Sequence, residues 1–180
     1  MKILLAVLLS LVTSGAAFAA APSDSLKVGD AAPDFKLLWA TRDSVSFNPL
    51  SLSSLEGKGP VVLAFYPADF SGGCTKEVCS MRDNFASLAA LNTEVVGLSG
   101  DYPFSSHEWA KQLNLPFKLA SDHKHEVAQR YSSYDPMSGF NKRTVFAIDK
   151  AGKIAYIDMH YSPRDSVSLG KLQDALKQMH

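Results

Sequence analysis

The chain has 180 residues, with 18 Lys and Arg set against 18 Asp and Glu, a formal net charge of zero, and 46% hydrophobic residues. With no basic stripe to track a phosphate backbone, nucleic acid is not an expected partner. No internal repeat, low-complexity tract or linker interrupts the chain, so the sequence predicts one domain with a real core.

The first residues read as a leader. Lys2 supplies a positive start, Ile3–Val12 a short apolar core, and Thr13–Ala21 a small-residue stretch in which Ala17-Phe18-Ala19 fits an A-x-A cleavage site. We expect a signal peptide over residues 1–19 (cleavage within 19–21), a loose tail over 20–26 and the folded domain over 27–180. The apolar core is shorter than the ~20 residues a bilayer span needs, which disfavours an uncleaved anchor, and no cysteine near the site offers a lipid attachment. A leader of this form suits bacterial export to the periplasm, with no stable membrane association after cleavage.

Next, Phe35–Trp39 and Ser44–Phe47 form a candidate hairpin around Thr41–Asp43, and Leu52–Leu55 a short turn. Val61–Tyr66 is a continuous apolar run, as expected for a strand buried on both faces. Cys74–Leu91 reads as one helix, with Val78, Met81, Phe85, Leu88 and Leu91 at core spacing. Glu94–Ser99 is the next strand, Ser106–Leu113 a serine-capped helix, Phe117–Ala120 a short strand, and His125–Tyr131 a helix opened by Asp122. Thr144–Asp149 and Lys153–Asp158 flank the turn Lys150-Ala151-Gly152, and Ser168–Met179 closes the chain as an amphipathic helix. Strand–helix alternation followed by a hairpin and a helix predicts an α/β sandwich.

The chemistry concentrates in VVLAFYPADFSGGCTKEVCSMRDNF, which holds both cysteines of the chain, Cys74 and Cys79. A cysteine at a helix N-terminus meets the positive end of the macrodipole and unpaired N–H groups, and both favour thiolate over thiol. On an unbroken helix, residues five apart lie on different faces with Cα atoms roughly 8–9 Å apart, whereas a disulfide needs about 4.4–6.8 Å. The pair therefore reacts only if the first turn or two unwinds. A permanent staple is the alternative. Exported proteins use them, but a loop this short gains only about 2 kcal/mol and the bond breaks the helix.

Pro67, Ser71 and Cys74 complete the pattern P-x-x-x-[T/S]-x-x-C, which resembles the active-site motif of peroxiredoxins, thiol peroxidases built on a thioredoxin fold. VGDAAPDFKL at Val28–Leu37 is similar to the family's N-terminal G-x-x-A-P-D-F segment. GLSGDYPFSSHEWAKQLNLPFKLASD is similar to its middle strand–helix–strand, and KRTVFAIDKAGKI to its late Arg–strand–turn–strand. The likeness covers about Lys27–Tyr161. The C-x4-C spacing resembles the bacterioferritin-comigratory, PrxQ-like branch of the AhpC/TSA superfamily, in which the resolving cysteine follows the peroxidatic one by five residues on the same helix. Ser71 stands where Thr is commoner and keeps the hydroxyl. Gly72–Gly73 stands where many members have Pro-Gly, and two glycines ease the unwinding inferred above.

The resemblance implies an α/β, thioredoxin-like fold with an N-terminal β extension of the peroxiredoxin type. It implies a redox disulfide between Cys74 and Cys79: Cys74 attacks a hydroperoxide and becomes a sulfenic acid, and Cys79 resolves it. No cofactor or metal is expected. The expected partners are the hydroperoxide substrate and a thioredoxin-like dithiol reductant, periplasmic for an exported protein. A monomer is expected, as is frequent in this branch; the chain has no C-terminal cysteine for an intersubunit bond.

The likeness also assigns roles. Arg143, just before the strand Thr144–Asp149, matches the family's catalytic arginine, a permanently charged fork of donors; by position alone a surface arginine at a strand start, the usual fate of Lys and Arg, is the favoured alternative. Ser71 orients the peroxide by donating and accepting. Pro67, with no N–H and a fixed φ, shapes the pocket and shields the sulfur. The backbone N–H groups of Gly73 and Cys74 add donors. Glu77 either complements the helix dipole or orients active-site groups.

Two other thioredoxin-fold classes compete. A disulfide reductase needs C-x-x-C, usually after Trp. A Sco-like copper-binding module needs C-x3-C and a distant His, for which His107, His123, His125, His160 and His180 are the candidates. The observed C-x4-C spacing fits neither.

Overall fold

The computed structural model describes residues 25–162 and 165–179. The leader, its cleavage site, most of the tail and His180 lie outside them. A seven-stranded sheet runs in the order β2-β1-β5-β4-β3-β8-β9. Its strands are β1 (Lys36–Ala40), β2 (Val45–Ser51), β3 (Val61–Phe65), β4 (Glu94–Ser99), β5 (Lys118–Ser121), β8 (Thr144–Ile148) and β9 (Ile154–Asp158). Strands β3, β4 and β5 are parallel neighbours, and the remaining pairs are antiparallel.

The five residues of β3 are all buried, as are those of β8 beside it, so the continuous apolar run occupies the centre of the sheet. Alternation splits the core in two. Val62 and Ala64 face one cluster with Val78, Met81, Leu88, Trp109 and Leu172. Val61, Leu63 and Phe65 face the other with Leu52, Val127, Tyr131 and Phe146. The first cluster carries α1 (Gly72–Asp83), α2 (Phe85–Ala90), α3 (Pro103–Leu113) and α5 (Ser166–Lys177); the second carries α4 (Glu126–Arg130). Among the described residues, no helix is long and apolar enough to cross a membrane.

Several boundaries differ from expectation for identifiable reasons. The helix predicted over Cys74–Leu91 is two helices, because the Asn84 side chain donates to the Ser80 carbonyl at 2.9 Å and competes with the helical ladder. The helix predicted from Ser106 begins at Pro103, since proline is preorganised for the first helical position. Ser106 therefore caps nothing and is buried. The closing helix starts at Ser166 because the Asp165 carboxylate accepts from the Val167 N–H at 2.9 Å. Asp122 does open α4, accepting from Val127 and Ala128 at 3.1 and 2.7 Å. Strand β2 runs on through Pro49, which is tolerated because β2 is an edge strand. A small hairpin, β6 (Tyr134–Asp135) with β7 (Phe140–Asn141), went unpredicted because two-residue strands have no period to detect.

The segment leaving β3 is held at its carboxyl end, where open α/β sheets place their sites. Asp69, 7% exposed, accepts from the Tyr66 and Ser106 hydroxyls, each at 2.8 Å, and its N–H donates to Asp101 at 2.8 Å. The following residue, Phe70, sits in the left-handed region at φ 59°, with its ring outward and 6.1 Å from that of the buried Trp109. A bulky side chain there is a strained choice that the surrounding bonds must enforce.

Burial, reinforced by the charge of Asp101, pushes the Asp69 carboxyl up to about 6. A raised folded-state value means that Asp69 contributes stability below the ordinary carboxylate range and loses that contribution as pH rises through about 6. Asp69→Asn is therefore expected to shrink the difference in unfolding free energy between pH 5 and pH 8 by about 1.4 kcal/mol. Urea denaturation at the two pH values reads this directly, and an unchanged difference contradicts it.

Candidate active site

Helix α1 opens with Ser71 as its N-cap, at φ −76° and ψ 140°, and Cys74 lies within its first turn. The Cys74 N–H donates to Ser71 Oγ at 3.4 Å, so the serine satisfies one of the orphan donors of the turn. Ser71 Oγ lies 2.6 Å from Cys74 Sγ and 3.2 Å from the Ala68 carbonyl. A hydroxyl has one proton and two acceptors within reach here. A thiolate at this position, as the stronger acceptor, draws that proton to Sγ.

Arg143 approaches the sulfur from the start of β8. Its Nη2 donates to Cys74 Sγ at 3.2 Å, and its Nη1 donates to the Glu77 carboxylate at 2.5 Å. Burial works against the guanidinium charge, but Glu77 and Cys74 outweigh it and raise its pKa. Gly73 makes the approach possible: a Cβ there would stand 2.6 Å from Arg143 Nη2. What the geometry displays at Gly73 is thus space for the arginine, while the Cys74 N–H is engaged by Ser71.

Glu77 does more than complement the helix dipole. It is fully buried beneath Arg143, where burial pushes its carboxyl up to about 7 against the opposing pull of the guanidinium. Its ion pair fixes one arm of the fork and leaves the other for the sulfur. Pro67 is half-buried at the head of the loop.

Cys74 is buried and Cys79 partly exposed, and both thiols are free. They occupy one unbroken helix, the arrangement for which the five-residue spacing predicts separate faces. The structure thus brings Ser71, Gly73, Cys74, Glu77 and Arg143 together and leaves Cys79 apart from Cys74.

Three of the candidate copper ligands have other roles. His107 Nδ1 pairs with the Thr41 carbonyl at 2.7 Å, His125 Nδ1 with Asn141 Oδ1 at 2.7 Å, and His123 stacks on Tyr102. Among the described residues, no group of three or more His, Cys, Asp or Glu side chains is placed to hold a metal ion. Sequence reasoning missed Asp69 and its partners. The available signal was a lone acid between a buried strand and a helix cap.

Residues 28–157 match the model of the AhpC/TSA family. The chain is 38% identical over 130 residues to a putative chloroplastic peroxiredoxin Q of Oryza sativa subsp. indica, covering 72% of this chain and 57% of that protein. It is 33% identical over 136 residues to peroxiredoxin Bcp of Bacillus subtilis, covering 72% and 83%. The chain spans about half the length of several of the plant relatives. Among solved structures, peroxidoxin BcpB of Mycobacterium tuberculosis superposes with a TM-score of 0.75 at 31% identity, covering 86% of this chain and 99% of that one. The mixed sheet and its helices are thus the thioredoxin-like fold of the peroxiredoxins, and the relatives lie in the Bcp and peroxiredoxin Q branch. The chain belongs to the AhpC/TSA family.

Proposed function

We propose that the protein is a thiol-dependent peroxidase that reduces hydrogen peroxide and organic hydroperoxides through Cys74. One observation carries this reading: a buried sulfur at a helix N-terminus faced by two converging donors, Ser71 Oγ and Arg143 Nη2. The Cys74 thiolate attacks the terminal oxygen of ROOH. The S–O bond forms as the O–O bond breaks, sulfur loses two electrons to the peroxide, and the leaving alkoxide takes a proton to become ROH or water. Cys74 is left as a sulfenic acid.

Ionisation of the thiol cannot supply the rate by itself. A thiol of pKa about 8.5 is about 3% ionised at pH 7, so full ionisation gains at most about 30-fold, or about 2 kcal/mol. Nucleophilicity falls with pKa and erodes even that. The larger share comes from donors aimed at the oxygens as charge moves onto the leaving group. Arg143 and Ser71 are positioned for this role, with Pro67 shaping the pocket and Gly73 and Glu77 setting the arginine.

Resolution follows. Cys79 attacks the sulfenic sulfur, water leaves and the Cys74–Cys79 disulfide closes, once the start of α1 unwinds. A separate dithiol protein of thioredoxin type reopens it by exchange. The leader over residues 1–19 supports export to the periplasm, where that reductant must then also reside. A monomer suffices, because both cysteines lie on one helix. The reductase and copper-binding alternatives lack the cysteine spacing each requires.

The direct test gives the reduced protein one equivalent of hydrogen peroxide and follows its thiols by mass spectrometry. We expect fast closure of the Cys74–Cys79 disulfide, no reaction above the free-thiol rate in Cys74→Ser, and a trapped sulfenic acid on Cys74 in Cys79→Ser. Oxidation of the wild type at the rate of an ordinary free thiol overturns the reading.

Gly72 is the first residue of α1. Nothing lies within 4 Å of a Cβ built there, and its φ is not in the left-handed region, so neither space nor backbone demands glycine. Proline suits this first helical position, and Ser71 at ψ 140° already has the extended conformation a residue before proline requires. Proline there stabilises the folded turn by about 0.4–1 kcal/mol. Gly72→Pro is expected to slow disulfide closure by about 2–5-fold while leaving the first oxidation of Cys74 unchanged. Rapid-quench alkylation separates the two steps.

A further inference from the structure

Close to the site, two buried side-chain atoms have no hydrogen-bond partner among the described residues: Glu77 Oε1 and the Tyr161 hydroxyl oxygen. Both residues are enclosed, Glu77 at 0% exposure and Tyr161 at 3%. One is an acceptor and the other carries a donor proton. Each incurs a desolvation penalty that a water shared between them removes.

The chain brings them to one place by routes other than this pairing. The Tyr161 N–H donates to the Arg143 carbonyl at 3.2 Å. The Arg143 guanidinium holds the other oxygen of Glu77. The Tyr161 ring packs in the same cluster as Cys74 and Val78 of α1. Electrostatics agree: after burial, the charge of Glu77 raises the Tyr161 phenol most, ahead of Asp158 and Tyr156 on β9. Arg143, just before β8, is the charged group that acts on Glu77, and Cys74 lies on the same helix as Glu77.

We propose that Tyr161 is a positioning residue: its hydroxyl donates to Glu77 Oε1 through one bridging water and completes a chain Tyr161–Glu77–Arg143–Cys74 that holds the arginine at the sulfur. The part concerning Cys74 reactivity rests on the proposed peroxidase function. A carboxylate that receives donors on both oxygens stays ionised to lower pH than one held on a single side. Once Glu77 is protonated, its bond to Arg143 is no longer assisted by charge on both partners, and the fork is less firmly aimed. Tyr161 thereby extends, toward acid, the pH range over which Arg143 is held.

Tyr161→Phe tests this, since it keeps the ring and removes only the hydroxyl. Carboxyl carbon-13 NMR of Glu77 in the reduced protein is expected to titrate about one unit higher in the variant. The oxidation rate of Cys74 by hydrogen peroxide should be equal in the two proteins above pH 9 and fall about tenfold behind in the variant on the acid side. In a Glu77→Gln background, Tyr161→Phe should have no further effect on the pH profile. Superimposable Glu77 titrations, or a Tyr161→Phe effect undiminished in Glu77→Gln, overturn the proposal. Should wild-type Cys74 react only as a free thiol does, the peroxidase reading fails, and the NMR titration still decides the pairing.

Discussion

The site depends on how a guanidinium is kept over a buried sulfur. Arg143 has one arm on Glu77 and the other on Cys74, and only the first of these contacts is independent of the redox state of the cysteine. Glu77 is wholly enclosed while the Arg143 side chain is about a quarter exposed, so the carboxylate bears most of the desolvation cost. In return, one arm of a long, flexible side chain is fixed before any substrate arrives, which is the preorganisation that makes donors effective in a dry site. The absence of a side chain at Gly73 is part of the same device, because a methyl group there would occupy the path of the guanidinium.

The sheet sets this interaction in place. Strand β3 delivers Cys74 through a loop and a cap, and its antiparallel neighbour β8 delivers Arg143 in register, with Phe65 opposite Thr144. The bridge between two parts of the chain separated by 69 residues is thus a consequence of one strand pairing. The loop between is tied down by Asp69, whose partners come from β3's end, from α3 and from the turn after β4. The two halves of the proposed cycle make opposite demands on this region. Oxidation needs the first turn of α1 folded around Ser71, and closure of the disulfide needs it unwound. The turn that must open begins with two glycines and adjoins a loop fixed by a buried carboxylate.

Much of this was legible in the sequence, and what was not has physical causes. The run Val61–Phe65 announced a central strand because a doubly buried strand needs no alternation. Pro67, Ser71 and Cys74 were visible because cap, turn and nucleophile must follow one another at fixed short spacings. Arg143 was identified through its place before a strand together with the family likeness. The break at Asn84 was hidden because the apolar spacing from Val78 to Leu91 continues across it. Ser106 was read as a cap because a serine before an apolar face usually is one; its actual partner, Asp69, lies 37 residues away. Tyr161 and the second oxygen of Glu77 belong to the same class, polar groups whose roles depend on neighbours that only the folded chain supplies.

Trp109 lies beneath the loop that carries Phe70, with the Tyr66 and Phe70 rings 5.5 and 6.1 Å away and its own surface 1% exposed. An indole in that position emits from a dry, aromatic surrounding for as long as the loop is seated. Any withdrawal of the loop admits water to it and changes its emission colour and yield. With the second tryptophan, Trp39, replaced, Trp109 becomes an optical gauge of the seating of the segment ahead of Cys74, built from a core side chain and requiring no dye or label.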